Sequence, residues 1–508
     1  MKSSNKQIAQ NTIMLYIRML FTMLVSLYTS RVILNVLGVE DYGIYNLVGS
    51  VVAMFGFLNG AMSSSTQRYL TFELGRENQL QLNRVYSTSI LIHGVISIIV
   101  VILAETVGLW FLYSKSTIAL ERMDAAVFIF HLSVISAVFS IMNTPKIAAI
   151  VSHERMKAFA AITIIDILLK LVIVILLKYL PFDKLRLYGV MVLIVQIIVF
   201  VIYRTYCRRR FEECRYRWYW NFRLFKEMFS FAGWNLFGSF AAVVYTQGLN
   251  MMLNVFFNTA INAARGLAVQ VQNTVTQFST NIQMAINPQI TKSYARADYT
   301  NMFSLIFRSS RYSFFLLYII SLPIILEADQ ILLWWLKIVP EHTVNFLRII
   351  LIISMIDASA NSLMIAAQAT GKIRVYQAVV GGILLLILPV SYVFLRFGYP
   401  PEVVFVVHLV IACIAWVVRL FIVHRLVSLP MRNYFKDVIW KIICVVATSC
   451  ILPLIIWYNM PEDVLRFLIV GTASVLLTAL SIYAFGLEQT ERKFILNSIL
   501  NIVKRIKK

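Results

Sequence analysis

Long apolar runs alternate with short polar segments along the whole chain. A membrane-spanning helix needs about 20 mainly apolar residues. Fourteen stretches qualify as candidates: 11–37, 42–66, 86–112, 123–146, 158–179, 186–206, 228–256, 260–287, 303–326, 343–366, 376–396, 402–424, 437–458 and 464–485. The eighth is the least apolar. The pattern predicts an all-α polytopic membrane protein. Arg18 and Arg31 interrupt the first run and no small-residue cleavage site follows it, so it reads as a retained span and not a signal peptide.

Charge between the runs orients them. With the N-terminus in the cytoplasm, the inner segments hold thirty-two Lys and Arg and the outer ones eight. Basic residues concentrate on cytoplasmic loops, so both termini are expected inside. The outer loops are short, the longest running from about Leu326 to His342.

Short matches recur at a spacing of about 220. Leu34-Asn35-Val36 returns as Leu253-Asn254-Val255, Ile147-Ala148-Ala149 as Ile365-Ala366-Ala367, and Gly75-Arg76 more weakly as Ala295-Arg296. Each falls at the same topological place. They pair helices 1–6 with 7–12 and leave 13 and 14 as an addition. Six is even, so both units start on the same side, as in a parallel repeat about the membrane normal. The expected organisation is an N-lobe at 1–206, a basic and aromatic cytoplasmic linker at 207–227, a C-lobe at 228–424, helices 13 and 14 at 425–485, and a basic tail at 486–508.

Composition agrees. Of 508 residues, 60% are hydrophobic and 14% charged, and mean hydropathy is +0.77; soluble domains carry about 25% charged residues. The net charge of +22 would suggest nucleic acid on a soluble chain. Here it is distributed as a topology signal, so a nucleic-acid partner is not expected. Five cysteines without a C-x-x-C pair and six histidines without H-x-x-x-H spacing predict neither a disulfide framework nor a metal site. No nucleotide-binding G-x-x-x-x-G-K-[ST], no G-x-S-x-G and no glycosidase-like carboxylate pair occurs. The expectation is a transporter without cofactor, not an enzyme, driven by H⁺ or Na⁺, the membrane potential or the substrate gradient.

Six basic residues fall within spans: Arg18, Arg31, Lys170, Arg265, Arg348 and Arg419. A charge at mid-bilayer costs about 2.5–3.5 kcal/mol on insertion scales. Arg348 and Arg419 lie near helix ends, where snorkelling suffices. Arg18 and Arg31 are candidates for a cavity, although 13 residues place them about 220° apart on a straight helix. Arg265 stands in a run, 260–289, rich in Asn, Gln, Ser and Thr. Lipid could not solvate that helix. Asn262, Gly266, Asn273, Gln277 and Thr280 share a face at 3–4 spacing and should line water or a polar ligand. Asn and Gln amides both donate and accept, which suits sugar hydroxyls. The competing reading is a polar seam between helices. Helix 2, with Asn46, Ser50, Asn59 and Ser63 to Gln67, carries a milder version, so that one polar helix from each lobe would face a common cavity. Asp166 and Lys170 are spaced for an intrahelical ion pair. Asp357 has no evident partner and, with Asp166, is a candidate for ion coupling. The stretch from Cys207 to Trp220 mixes arginines with aromatics and reads as an interfacial segment on anionic lipid.

Two segments carry a resemblance. Asn11-Thr12 through Arg31, followed by Leu37-Gly38-Val39-Glu40-Asp41-Tyr42-Gly43-Ile44-Tyr45, resembles the start of the Wzx-like O-antigen and exopolysaccharide flippases of the MOP exporter superfamily. These are related to lipid II flippases and MATE transporters. The 6+6+2 plan extends the likeness over nearly the whole chain. The resemblance implies translocation of undecaprenyl-pyrophosphate-linked oligosaccharide across the bacterial cytoplasmic (inner) membrane by alternating access. It implies lipid-linked oligosaccharide, membrane lipid and glycan-assembly proteins as partners. It makes Asp41 a motif residue and matches Arg18, Arg31 and Arg265 to the cavity arginines of lipid II flippases. Helix 2 here has no internal arginine; Arg68 lies just past its inner end. The prenyl tail would stay in lipid beside helices 13 and 14. A MATE-like drug or cation antiporter is the alternative, favouring carboxylates over arginines. A glycan polymerase or ligase would need a large outer loop.

Overall fold

The computed structural model describes residues 2–493 except 55, 115–117, 216–218, 258 and 490; some further side chains, Arg31 among them, lie outside the described residues. Among the described residues the chain is helical throughout, with no strand. Its long helices are α1 (Lys2–Met54), α2 (Gly56–Gly75), α3 (Gln79–Ser114), α4 (Leu120–Ser152), α5 (Met156–Leu177), α6 (Lys184–Arg210) and α7 (Phe222–Phe256). They continue as α8 (Thr259–Ala295), α9 (Tyr299–Leu326), α10 (Thr343–Ala369), α11 (Arg374–Arg396), α12 (Val403–Val427), α13 (Met431–Asn459) and α14 (Val464–Gly486). Twelve stretches among the described residues are long and apolar enough to cross a membrane, against fourteen expected. The expected span 260–287 is helical within α8 but too polar to qualify. The span 42–66 falls across the end of α1 and the start of α2, where several side chains lie outside the described residues.

The first helix is not straight. Gly38 interrupts it at φ 81°, ψ 168°, a region essentially restricted to glycine. A Cβ there would meet nothing within 4 Å, so the requirement is conformational and not one of space. Asp41, three residues on, is buried and takes Nε and Nη2 of Arg122; the Nε bond is 3.0 Å. Arg122 Nη1 reaches Asp183 at 2.7 Å. The Leu37-to-Tyr45 motif therefore bends the first helix and clips it to the starts of α4 and α6.

The chain forms two compact units: Met1–Ser239 with Asn287–Tyr299, and Phe240–Ile286 with Thr300–Lys508. In the first, α4 packs most extensively on α6, and α1 on α5. In the second, the most extensive pairing is α10 with α12, the same pair six helices later. The cores are apolar side chains such as Phe130, Val85 and Ile150 in the first unit and Phe346, Phe405 and Leu351 in the second. Outward faces carry exposed Ile, Val, Leu and Phe, which bilayer hydrocarbon accommodates and water would not.

The weakest sequence match of the repeat proves to be a conformational one. The amides of Arg76, Glu77 and Asn78 donate to the carbonyls of Phe72, Leu74 and Glu73. Those of Arg296, Ala297 and Asp298 donate to Lys292, Tyr294 and Ser293 with identical offsets. Glu77 and Ala297 are both left-handed, at φ 58° and 56°. Both turns belong to the first unit and touch there: Arg296 Nε donates to the Gly75 carbonyl at 3.2 Å. A Cβ on Gly75 would stand 2.7 Å from that of Ala295, so only glycine permits this approach.

Within the second unit, buried ion pairs hold the last helices. Arg466 of α14 makes two parallel bonds of 3.1 Å to Glu327, which follows α9. Arg311 of α9 is fully buried and reaches Glu491 at 3.1 Å and Glu488 at 3.4 Å. These partners lie beyond α14, in the segment expected to be a basic tail. Arg311, one of the basic residues counted toward the inner side, is thus also structural. The tail's terminal lysines, from Lys504 on, lie outside the described residues.

Candidate functional site

Helix α8 presents two different polar faces. Gly266, Gln270, Asn273, Thr274, Gln277 and Thr280 are exposed, at the 3–4 spacing of one helix face. Thr274 and Thr280 return their hydroxyls to their own helix, at Gln270 and Thr276. The amides of Gln270, Asn273 and Gln277 thus remain the outward-facing polar groups of this row. The opposite face is a seam. Gln272 Nε2 donates to Ser354 Oγ at 2.8 Å, and Gln283 Nε2 to Ser313 Oγ at 3.2 Å and the Ala358 carbonyl at 3.0 Å. The seam expected as the competing reading is present on this face, while the other row is exposed. Asn262 stands at the margin, half-buried, with an unpaired buried Oδ1.

Arg265 is not on the exposed row. It is 6% exposed and turned toward α7, where Nη1 bonds Asn250 Oδ1 and Nη2 the Thr246 carbonyl, the latter at 3.1 Å. Its Nε is buried and unpaired. It is a buried cation held by neutral groups, with no carboxylate on it among the described residues. Next to it Gly266 leaves open space, since a Cβ there would meet nothing within 4 Å. The burial corrects the expectation that Arg265 lines a polar surface directly, because Asn250 and Thr246 draw its guanidinium sideways. Asn250 was overlooked, although with Gln247 and Asn254 it forms a polar interruption of an apolar run that pointed to it.

Deeper in this unit, Asp357 of α10 faces Arg419 of α12 at 3.5 Å. Two expectations are corrected here. Asp357 has a partner, and Arg419, 14% exposed in its side chain, turns inward and does not snorkel. The Asp357 side chain is 45% exposed, so the pair leaves it partly accessible. His408 packs edge-on against Tyr245, ring centroids 5.2 Å apart.

In the first unit the predicted residues separate. Arg18 is half-buried with its guanidinium 4.9 Å from the Phe159 ring centre, a cation–π geometry. Arg31 lies in helix, but its side chain is outside the described residues. Asn46 is exposed. Lys170 pairs with Asp166 at 2.9 Å, one turn apart. A cavity of about 310 Å³ opens among α1, α2, α3, α4 and α6, its polar lining being Tyr45, Asn59, Ser133, Ser136, Ser140 and Gln196. Thr144 donates to Asn59 Oδ1 at 3.0 Å, which orients the amide. The lining is neutral, suited to hydroxyl-bearing or amide-bearing ligands and not to an ion. Asp41 does not join it, being committed to Arg122. Asp183, in the loop before α6, is raised by burial, but the Arg186 amide and the Arg122 guanidinium bring it below the ordinary carboxylate value. No cluster of metal-ligating side chains occurs among the described residues, and the five cysteines are free thiols.

Two compact all-helical units with long apolar helices and polar groups within them are the architecture of a polytopic membrane protein. The fold resembles an outward-facing multidrug resistance MATE family transporter of the MOP superfamily, with TM-score 0.73, 12% identity, and coverage of 84% of this chain and 96% of that one. A MATE transporter in its bent conformation matches with TM-score 0.74 and 11% identity over 85% and 97%. A MOP superfamily transporter from Pyrococcus furiosus, described as having a binding pocket of reverse polarity that suggests a different function, matches with TM-score 0.69 and 11% identity over 84% and 96%. No curated protein matches in sequence. Residues 32–335 match the family described as polysaccharide biosynthesis protein, and the chain belongs to that family. Family and fold together are those of a multi-pass helical membrane protein.

Proposed function

We propose that this protein translocates a lipid-linked oligosaccharide, an undecaprenyl-pyrophosphate-linked glycan, across the bacterial cytoplasmic membrane by alternating access. The observation that carries the reading is Arg265: a desolvated guanidinium without a carboxylate, beside an open glycine and at the head of a row of exposed amides. A pyrophosphate needs a cation to replace its hydration, and Arg can engage it through two parallel bonds. A glycan needs groups that donate and accept, which Gln270, Asn273 and Gln277 supply. Arg18, and Arg31 on the same helix, add cationic character in the first lobe, and the prenyl tail stays in lipid beside α13 and α14. Both termini are cytoplasmic in this reading. Asp357 and Asp166 are the carboxylates that H⁺ or Na⁺ would bind to drive the cycle, and glycan-assembly proteins are the natural partners.

Deleting the gene is expected to leave single-repeat lipid-linked glycan in the inner leaflet. Accumulation in the outer leaflet would indicate a polymerase or ligase and overturn the reading. Arg265→Ala should abolish surface glycan at unchanged membrane levels of the protein; normal glycan would remove Arg265 from the mechanism. One observation favours a second reading, a drug or cation antiporter: the half-exposed Asp357 carboxylate. Altered drug susceptibility with intact glycan on deletion would support it.

A further inference from the structure

At the C-terminal end of α6, Arg204, Thr205, Arg208, Arg209 and Arg215 line an open cleft of about 630 Å³. All five are exposed. Most other guanidiniums described above sit on a carboxylate: Arg122 on Asp41, Arg311 on Glu491, Arg466 on Glu327. Among the described residues, none of these four does. Two acidic side chains follow in sequence: Glu212 is exposed and has no ion pair among the described residues, and Glu213 is turned away. It is buried, hydrogen-bonded to His153 Nε2 at 2.5 Å and to Gln79 Nε2 at 3.3 Å.

The cleft is built and not a loose run of charge. His153 stacks on Phe211, centroids 4.1 Å apart and 11° from parallel. Asn83 Nδ2 donates to the carbonyls of Glu213 at 3.1 Å and Arg215 at 3.3 Å. The short 3₁₀ turn Glu212–Cys214 is thereby fixed to α3 and to the end of α4, and it carries Arg215 back beside α6. Macrodipole compensation explains basic residues in a last helical turn, but not why a fourth returns from the far side of a turn.

The position of the cleft indicates its ligand. Ile194, Ile197 and Val201 are exposed apolar residues on α6. Arg204 and Arg208 continue that row at 3–4 spacing, on the same helix face. A lipid whose chains lie along Ile194 to Val201 has its head at Arg204 and Arg208. Trp220 and Phe222, 57% and 65% exposed, follow in the chain and are of the type that settles at headgroup depth. We propose that this cleft is a binding site for the phosphate of an anionic membrane lipid, distinct from any group the protein translocates.

The test uses the full chain in phosphatidylcholine bilayers doped with fluorescent phosphatidylglycerol, reading enrichment of the lipid around the protein by energy transfer from its tryptophans. Replacing Arg204, Arg208, Arg209 and Arg215 together by Ala should lower enrichment at least about tenfold, each basic residue near an anionic surface being worth about fivefold. Arg223→Ala with Lys226→Ala, close in sequence but outside the cleft, should change it little. Replacing the four by Lys should give an intermediate loss, since Lys keeps the charge but cannot make the bidentate contact. Equal enrichment in the wild-type and the alanine variant, with both folded by size exclusion, would overturn the proposal. So would full enrichment in the lysine variant, which would mean diffuse attraction. Displacement of the lipid by millimolar inorganic diphosphate would assign the cleft to a soluble anion instead; persistence of the lipid supports the proposal.

Discussion

Removing the carboxylate from Glu327 should unfold the second unit far more easily than the loss of one contact suggests. Glu327 is fully buried and the Arg466 side chain is 5% exposed, so solvent screens neither. The two parallel 3.1 Å bonds are a bidentate charge-assisted pair. Glu327→Gln keeps the shape but leaves the buried guanidinium only the exposed Glu462, 3.8 Å from Nη1, and breaking such a buried pair costs about 3–5 kcal/mol. Arg466→Met leaves the mirror-image defect and should cost as much. The pair itself is worth little against an apolar replacement of similar volume, because desolvation offsets the attraction. Glu327→Leu combined with Arg466→Met should therefore regain most of the loss, ending within about 1 kcal/mol of the parent or above it. Reversible unfolding in mixed micelles, followed by tryptophan fluorescence, gives all four corners of the cycle. If the single variants lose under about 1 kcal/mol, or if their losses simply add in the double variant, the reasoning fails.

Three further outcomes are expected. Gly38→Ala should lose about 1–3 kcal/mol from backbone strain alone, seen as a lower thermal midpoint; an unchanged midpoint would show that the bend tolerates a side chain. For Glu213, burial raises its carboxyl, but the bonds from His153 and Gln79 bring it below its ordinary value of 4.5. A depressed acid contributes stability that is present above the ordinary value and is lost as pH falls through the lowered one. The thermal midpoint should thus hold down to about pH 4.5 and fall below it, and His153→Gln should make that fall smaller, because a less depressed carboxyl has less stability to lose on acidification; an unchanged fall would refute the coupling. Finally, Asn273→Leu with Gln277→Leu, both exposed, should lower surface glycan while folded yield stays constant, and wild-type glycan would exclude this face from the transport path.

Much of the architecture was readable because it depends on composition within one helix. Apolar runs of the right length and the polar character of α8 are local signals. The Asp166–Lys170 pair was legible for the same reason, its members being one turn apart. What escaped the reading involves partners far apart in sequence. Arg311 looks like any basic residue at a helix end until carboxylates 177 and 180 positions later are seen to cover it. Asp357 and Arg419 are 62 positions apart, and neither alone announces the other. Asp41 was identified through its motif, but its role as the clip for Arg122 depends on a bend that only the φ of Gly38 reveals. Arg265 shows the limit within one helix: periodicity gave its angular position, but a long side chain can leave that direction, and Asn250 draws it toward α7.

The burial of Arg311 has a practical consequence for anyone shortening this gene. Its counter-charges, Glu488 and Glu491, lie after the last spanning helix, where hydropathy suggests a dispensable end. A stop codon or protease site placed at 486 would leave a buried guanidinium with the Asp437 carbonyl but without either of these carboxylates, and the product should be degraded in the cell. One placed after 493 keeps both acids. Affinity tags, fluorescent reporters and cleavage sequences should therefore start beyond that point.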